Sequence, residues 1–531
     1  MKTMKTTAFL FAGLIALHSL AQASPPKDID TRVDRLMNLG GAPGLALVVI
    51  EHGKATYVKG YGVKRLGSTD AVDPQTLFQI GSTTKAFTSA SVAMLVEAGK
   101  LDWDESVSTY MPDFQMYDPW VTRHVTVRDL LTHHSGLGAG AGDLTFFPGG
   151  KFTRLETVQA LRWLKPQYGF RTRFGYSNLN YVAAGLLIER VSGLTWEDFV
   201  RERILKPAGM TATLTDLRSR DLNSNRAQPH ARIGPPARGF GKQAVLDEHE
   251  GLTENGGPAG MIMSSAEDMA TWISIQLAHG QLPDGKGRLF SDASSQEMWG
   301  PVTPLPNPPA VGEMAAIRPN FKFYALGWIA QDYRGQRMIS HSGATLGFKT
   351  LVVLLPDKGL GFVVMQNSED GQVLQALQYE LLDFYLDAPR TDWGKVFSAR
   401  AKKARDDAAK VLSQKSAPPR RIARSADDAA YVGAYRDNWF GPMSVSVNAG
   451  RLFIEMGRNS GMTAELVHYS GDTFVAQWAN TDIEPAYVIF EFANETQVRH
   501  VSLKAISPLA DFSYDYNDLE FTPTPKLNQA K

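Results

Sequence analysis

The 531-residue chain contains no cysteine. That absence excludes disulfides, thiolate metal sites and lipid attachment at a cysteine. Net charge is also missing, because 55 basic and 55 acidic residues cancel. No global field draws the chain to nucleic acid or to an anionic membrane, so neither partner is expected. No H-x-x-x-H pair occurs, and adjacent His133-His134 would point in different directions on a helix or a strand, so no metal is expected. G-x-x-x-x-G-K-[ST] and G-x-S-x-G are both lacking, which argues against a nucleotide phosphate cradle and a nucleophile elbow. No cofactor is expected.

The one candidate targeting segment stands at the start. "MKTMKTTAFLFAGLIALHSLAQASPP" has a charged opening (Lys2, Lys5), a short apolar core and the small-x-small pattern Ala21-Gln22-Ala23, which reads residues 1–23 as an export signal. The apolar run is short of the ~20 residues a membrane anchor needs. An exported chain without cysteine fits the bacterial periplasm, with no integral membrane segment left after signal removal.

The remainder is too long for one ordinary core. Residues 24–389 mix strands and helices. "PGLALVVIEHGKATYVKGYGVKR" reads as two strands around His52-Gly53, and "TKAFTSASVAMLVEA" is apolar on nearly every side, as a helix inside a domain is. "GQRMISHSG", "FKTLVVLLP" and "GLGFVVMQN" read as three successive strands. The expected fold is one α/β (α+β) domain on an antiparallel sheet. Residues 390–428 are charged and alanine-rich, then proline-bearing, and read as a connector, helical at first and extended later. From 429 to 531 short β-forming stretches predict a small all-β barrel or sandwich.

Serine with a lysine three residues on is the remaining chemical signal. Ser24-Pro25-Pro26-Lys27 cannot be helical through two prolines. Ser82-Thr83-Thr84-Lys85 opens the buried helix, where positions i and i+3 share a face and the amine can reach the Ser82 hydroxyl. Burial favours a neutral lysine, able to act as a base. Tyr176-Ser177-Asn178 is the only Y-x-N. His-Ser-Gly occurs twice, as His134-Ser135-Gly136 and His341-Ser342-Gly343. The first follows the helix-like "VTVRDLLTHH" and reads as a glycine-closed helix end with a framework role; the second lies on a predicted strand.

S-x-x-K, Y-x-N and H-x-G in this order, together with "LLTHHSGL" and "GPAGMIMSSAEDMATW", resemble the serine β-lactamase and penicillin-binding-protein superfamily. The match is to its class C β-lactamase, D,D-peptidase and D-aminopeptidase branch, over residues 43–386. The resemblance implies that Ser82 is the acylated nucleophile, with Lys85 or Tyr176 as its base. It implies that Asn178 holds the Lys85 amine and a substrate amide, and that the backbone N–H groups of Ser82 and Ala344 form the oxyanion site. Gly343 is expected to let substrate lie along the strand. His341 replaces the lysine usual in β-lactamases. At neutral pH it is mostly uncharged, which points toward short peptides, including D- or non-standard residues, and toward the linear-peptide hydrolases of the branch. A β-lactamase or carboxylesterase uses the same residues, and a non-catalytic sensor or binding module is a further alternative. The C-terminal domain is similar to the lipocalin-like domain of several such peptidases and is expected to overhang the site. Trp439 and Phe440 are its candidate overhang, unless they pack the barrel core, and the glycine-rich stretch 138–150 is the expected rim.

Overall fold

The computed structural model describes residues 25–415 and 422–525, apart from 460 and 495; the expected export signal and the proline-bearing end of the connector lie outside the described residues. Eight antiparallel strands form the main sheet, in the order Lys54–Gly62, Gly44–Glu51, Leu360–Gln366, Phe348–Leu355, Gln336–Thr345, Ile329–Tyr333, Lys322–Tyr324 and Thr303–Pro304. The continuous apolar run in Gly44–Glu51 has a physical cause: both faces of this strand are covered. Ala46, Val48 and Ile50 enter one hydrophobic cluster, while Leu45, Leu47 and Val49 enter the other.

The first cluster holds the helix Lys85–Glu97, nearly all of which is buried, as its sequence requires. The helices Asn178–Ser192 and Ala266–Leu277 belong to the same side. On the other face lie Ile29–Gly40 and Gln372–Tyr385, joined by the start of a long helix, Trp393–Lys415. Trp393 and Phe397 are buried there. The helical half of the connector is therefore tied to the sheet by apolar side chains.

The C-terminal strands, from Gly433–Asp437 to Glu520–Pro523, pair in sequence order and the first closes on the last, making an eight-stranded antiparallel barrel. Inward and outward residues alternate along Gly441–Asn448 and Arg451–Met456, the period of a small barrel with a filled interior. Trp439 and Phe440 are buried in it. The Trp439 indole donates to the Asp518 carbonyl, and Phe440 packs on Phe521. The overhang comes instead from the segment between the last two strands, residues 506–519.

Candidate active site

Ser82 lies in a single 3₁₀ turn, Gly81–Thr84, which runs directly into the buried helix. Two glycines bring this turn against the strand Gln336–Thr345. Gly81 has φ +53°, and a Cβ there would lie 2.6 Å from the Ala344 nitrogen. A Cβ at Gly343 would lie 2.0 Å from the Ile80 carbonyl oxygen and 3.0 Å from the Ser82 nitrogen. Gly343 is thus required by the approach of the protein's own backbone, where a substrate contact was expected. The approach sets the amides of Ser82 and Ala344 side by side. The strand Ile329–Tyr333 pairs with Gln336–Thr345 only as far as Ser340, so from His341 onward that edge has no ladder partner among the described residues.

Lys85 is completely buried, yet its amine has three partners: Ser82 Oγ at 3.1 Å, Asn178 Oδ1 at 2.7 Å and the Ala259 carbonyl at 2.7 Å. Loss of hydration disfavours the ammonium and holds it at about pKa 7, against an upward pull from Asp143. The amide and carbonyl oxygens only accept. A neutral Lys85 therefore keeps its two N–H bonds on Asn178 and Ala259 and turns its lone pair to the Ser82 hydroxyl.

The Tyr176 phenol lies near the Ser82 hydroxyl, and burial raises it far above the ordinary tyrosine range, against a downward pull from Ser82. Its ring stands 4.9 Å from the Lys85 amine. Ser177 caps the helix Asn178–Ser192 by accepting from the Asn180 N–H, which leaves the Asn178 side chain to face Lys85.

His133, directly before the first His-Ser-Gly triplet, and Ser135 within it brace this segment. The helix Val127–Leu131 ends before the histidines. His133 takes φ +55° and accepts from the Ser177 N–H at 3.1 Å, with its ring 4.2 Å from that of Tyr176. Ser135 Oγ accepts from Asn180, and the His133 carbonyl accepts from the Gly175 N–H. His133 is the support that the sequence reading passed over; the doubled histidine was its only signal.

His341 sits one layer behind the cavity wall. Nδ1 contacts the Ser342 carbonyl at 2.7 Å and so must carry the proton, which makes Nε2 the acceptor from the Tyr324 hydroxyl at 2.8 Å. Burial and nearby Lys85 push it down to about 3, so it is neutral.

Ser82, Asn178 and Ala344 line one cavity of about 250 Å³. Two ion pairs, Arg238–Glu369 at 2.5 Å and Arg232–Asp370 at 2.6 Å, lie on its far side. Leu509, Asp511, Ser513 and Tyr514 of the barrel line it as well, and Phe512 sets its ring edge against Tyr176 at 5.7 Å. The stretch 138–150 is largely buried beneath this roof, so it is floor more than rim. Among the described residues, Asp221, Glu248 and His249 could gather around an ion, but Arg220 and Arg226 already hydrogen-bond all three.

The beta-lactamase family model matches residues 29–385, and a domain of unknown function, DUF3471, matches residues 417–523. An unguisins hydrolase of Aspergillus campestris is 32% identical over 66% of the chain and 64% of its own length. A second, from Aspergillus violaceofuscus, is 28% identical over 85% of the chain and 82% of its own. Among solved structures, the octameric penicillin-binding protein homologue from Pyrococcus abyssi covers 90% of the chain and 98% of its own, with a TM-score of 0.58 at 20% identity. At that identity the likeness is one of fold. The motifs, their geometry and the family match over most of the chain lead to one conclusion: the chain belongs to the beta-lactamase family of serine hydrolases.

Proposed function

We propose that this protein is a periplasmic serine hydrolase that cleaves amide bonds of short peptides, with D- or non-standard residues among them, through an acyl-enzyme on Ser82. The observation that carries the reading is the Lys85 amine, desolvated, 3.1 Å from Ser82 Oγ and held by two partners that only accept. Lys85 is then the base, because the Tyr176 phenol is held protonated at neutral pH. Ser82 Oγ attacks the substrate carbonyl as its proton passes to Lys85, and the oxyanion is met by the N–H groups of Ser82 and Ala344. The proton returns through Tyr176 to the departing amine. Water then enters by the reverse path and releases the acid.

Three features support a peptide over a β-lactam. The strand edge from His341 accepts main-chain hydrogen bonds of an extended chain. The neutral His341 supplies no fixed charge for a β-lactam carboxylate. The barrel segment 506–519 roofs the cavity and favours short substrates. Two relatives bear the name unguisins hydrolase, in keeping with a hydrolase. The test is a panel of L- and D-peptides, p-nitrophenyl esters and nitrocefin, with mass spectrometry of the intact protein. A peptide-derived acyl adduct on Ser82, absent from Ser82→Ala, is expected. Full peptide turnover by Ser82→Ala overturns the reading, and rapid nitrocefin turnover with inert peptides replaces it by a β-lactamase.

A further inference from the structure

Asp143 belongs to none of the three motifs, yet it is fully buried beside them. Its Oδ2 accepts from the Asn178 amide at 2.8 Å and from the Ser513 hydroxyl at 2.9 Å, while Oδ1 has no partner among the described residues. One residue earlier the Gly142 N–H donates to Asp515 Oδ2 at 2.7 Å. The two loops approach so closely that a Cβ at Gly140 would lie 2.4 Å from the Phe512 carbonyl oxygen. Ser513, Asp515 and Phe512 all come from the barrel, some 370 residues on.

The consequence runs through Asn178. An amide carries its donors and its acceptor on opposite ends. With its nitrogen held by the Asp143 carboxyl, its oxygen must face the Lys85 amine, where it accepts at 2.7 Å. A continuous line results: Ser513 hydroxyl, Asp143 carboxyl, Asn178 amide, Lys85 amine, Ser82 hydroxyl. We infer that Asp143 is a positioning residue of the catalytic centre and that Ser513 of the C-terminal barrel sets it, so the barrel is a working part of the hydrolase as well as its roof. The inference rests on the acyl-enzyme reading of Ser82.

A purely structural tie between loop and barrel predicts a loss of stability alone; a positioning role predicts a loss of turnover in a folded protein. Buried this way, the Asp143 carboxyl is pushed up to about 8, against the hydrogen bonds from Asn178 and Ser513. It is therefore protonated where Lys85 titrates, at about 7, and it acts on Lys85 through the Asn178 hydrogen bond. Asp143→Asn keeps an acceptor for the Asn178 amide and is expected to stay near the wild-type rate. Asp143→Leu leaves that amide without its acceptor, frees Asn178 to turn from Lys85, and is expected to lower kcat about tenfold with little change in KM. Ser513→Ala loosens Asp143 and lowers kcat in the same way, by less.

The experiment uses the full chain with p-nitrophenyl acetate as probe and reads kcat and KM separately at fixed pH. Thermal melts accompany Asp143→Leu, Asp143→Asn, Ser513→Ala and Ser82→Ala. A lower kcat in Asp143→Leu and Ser513→Ala, restored in Asp143→Asn, with Ser82→Ala inert, supports the inference. Wild-type kcat in Asp143→Leu and Ser513→Ala, or a loss that Asp143→Asn does not restore, overturns it and, with Ser82→Ala inert, leaves the acyl-enzyme reading standing. A loss in Asp143→Leu alone overturns the part given to the barrel. Turnover by Ser82→Ala overturns the reading itself, and the inference with it. If Asp143→Leu fails to fold, Ser513→Ala against Asp143→Asn decides by the same criterion.

Discussion

Gly343 and Ile80 are in direct backbone contact: a methyl group on residue 343 would lie 2.0 Å from the Ile80 carbonyl oxygen. No side chain can yield there, because the opposing atom is main chain. Gly343→Ala therefore has to push the strand away from the nucleophile turn and separate the amides of Ser82 and Ala344. Acylation is expected to slow by at least about 10²-fold, as an error of about 1 Å at a reacting centre costs. Stopped-flow acylation rates measure this, and an alanine variant that acylates at the wild-type rate contradicts the geometry.

Lys85 sets the pH dependence. Its folded pKa is about 7, lowered by burial, and only the neutral amine takes the Ser82 proton. Acylation is expected to fall on the acid side of a midpoint near 7 and to level off above it. Lys85→Arg stays charged at every accessible pH and loses about 10³-fold. A rate profile flat down to pH 5 shows that another group is the base.

His133 holds Tyr176 from behind. His133→Ala removes the acceptor of the Ser177 N–H and the ring beneath the phenol. The orphaned donor alone costs about 1–3 kcal/mol, so the melting temperature drops. A tilted Tyr176 also lowers kcat by about tenfold with little change in KM. Loss of stability with an unchanged kcat means that His133 only fills space.

Phe512 lies at the roof, 47% exposed, with its edge on Tyr176. Phe512→Ala opens the cavity toward solvent without touching Ser82 or Lys85. The ratio of kcat/KM for longer over shorter peptides is expected to rise about tenfold, the scale of one apolar contact in a pocket. Competition assays with peptides of increasing length read this ratio directly, and an unchanged ratio places the length limit elsewhere.

Much of the fold was legible because the signals were local. Gly44–Glu51 reads as a two-sided strand from its unbroken apolar run, and Lys85–Glu97 reads as an interior helix from its lack of a polar face. The Ser82–Lys85 contact follows from helical spacing, with no knowledge of the rest of the chain. Other features misled for equally physical reasons. The glycines of 138–150 suggested a rim loop, but Gly140 serves the close approach of barrel backbone at Phe512, and Gly142 packs against Leu164 and Leu179. Trp439 and Phe440 allowed either an overhang or core packing, and they pack the core, because a small barrel needs large side chains to fill it. Asp143, a lone acid in a glycine-rich stretch, carried no signal at all.

The sequence by itself determined the nucleophile turn, the helices and strands that carry the motifs, and the order in which the motifs meet the chain. Those depend on spacing along one element and on the residue types within it. Only the tertiary structure decided that His133, beside the first His-Ser-Gly, braces Tyr176 while His341 stands behind the cavity, why Gly343 is glycine, and that Ser513 reaches Asp143. Each of these is a contact between backbone or side-chain atoms of loops tens to hundreds of residues apart. Such contacts are set by left-handed turns and by the docking of the barrel, and local periodicity encodes neither.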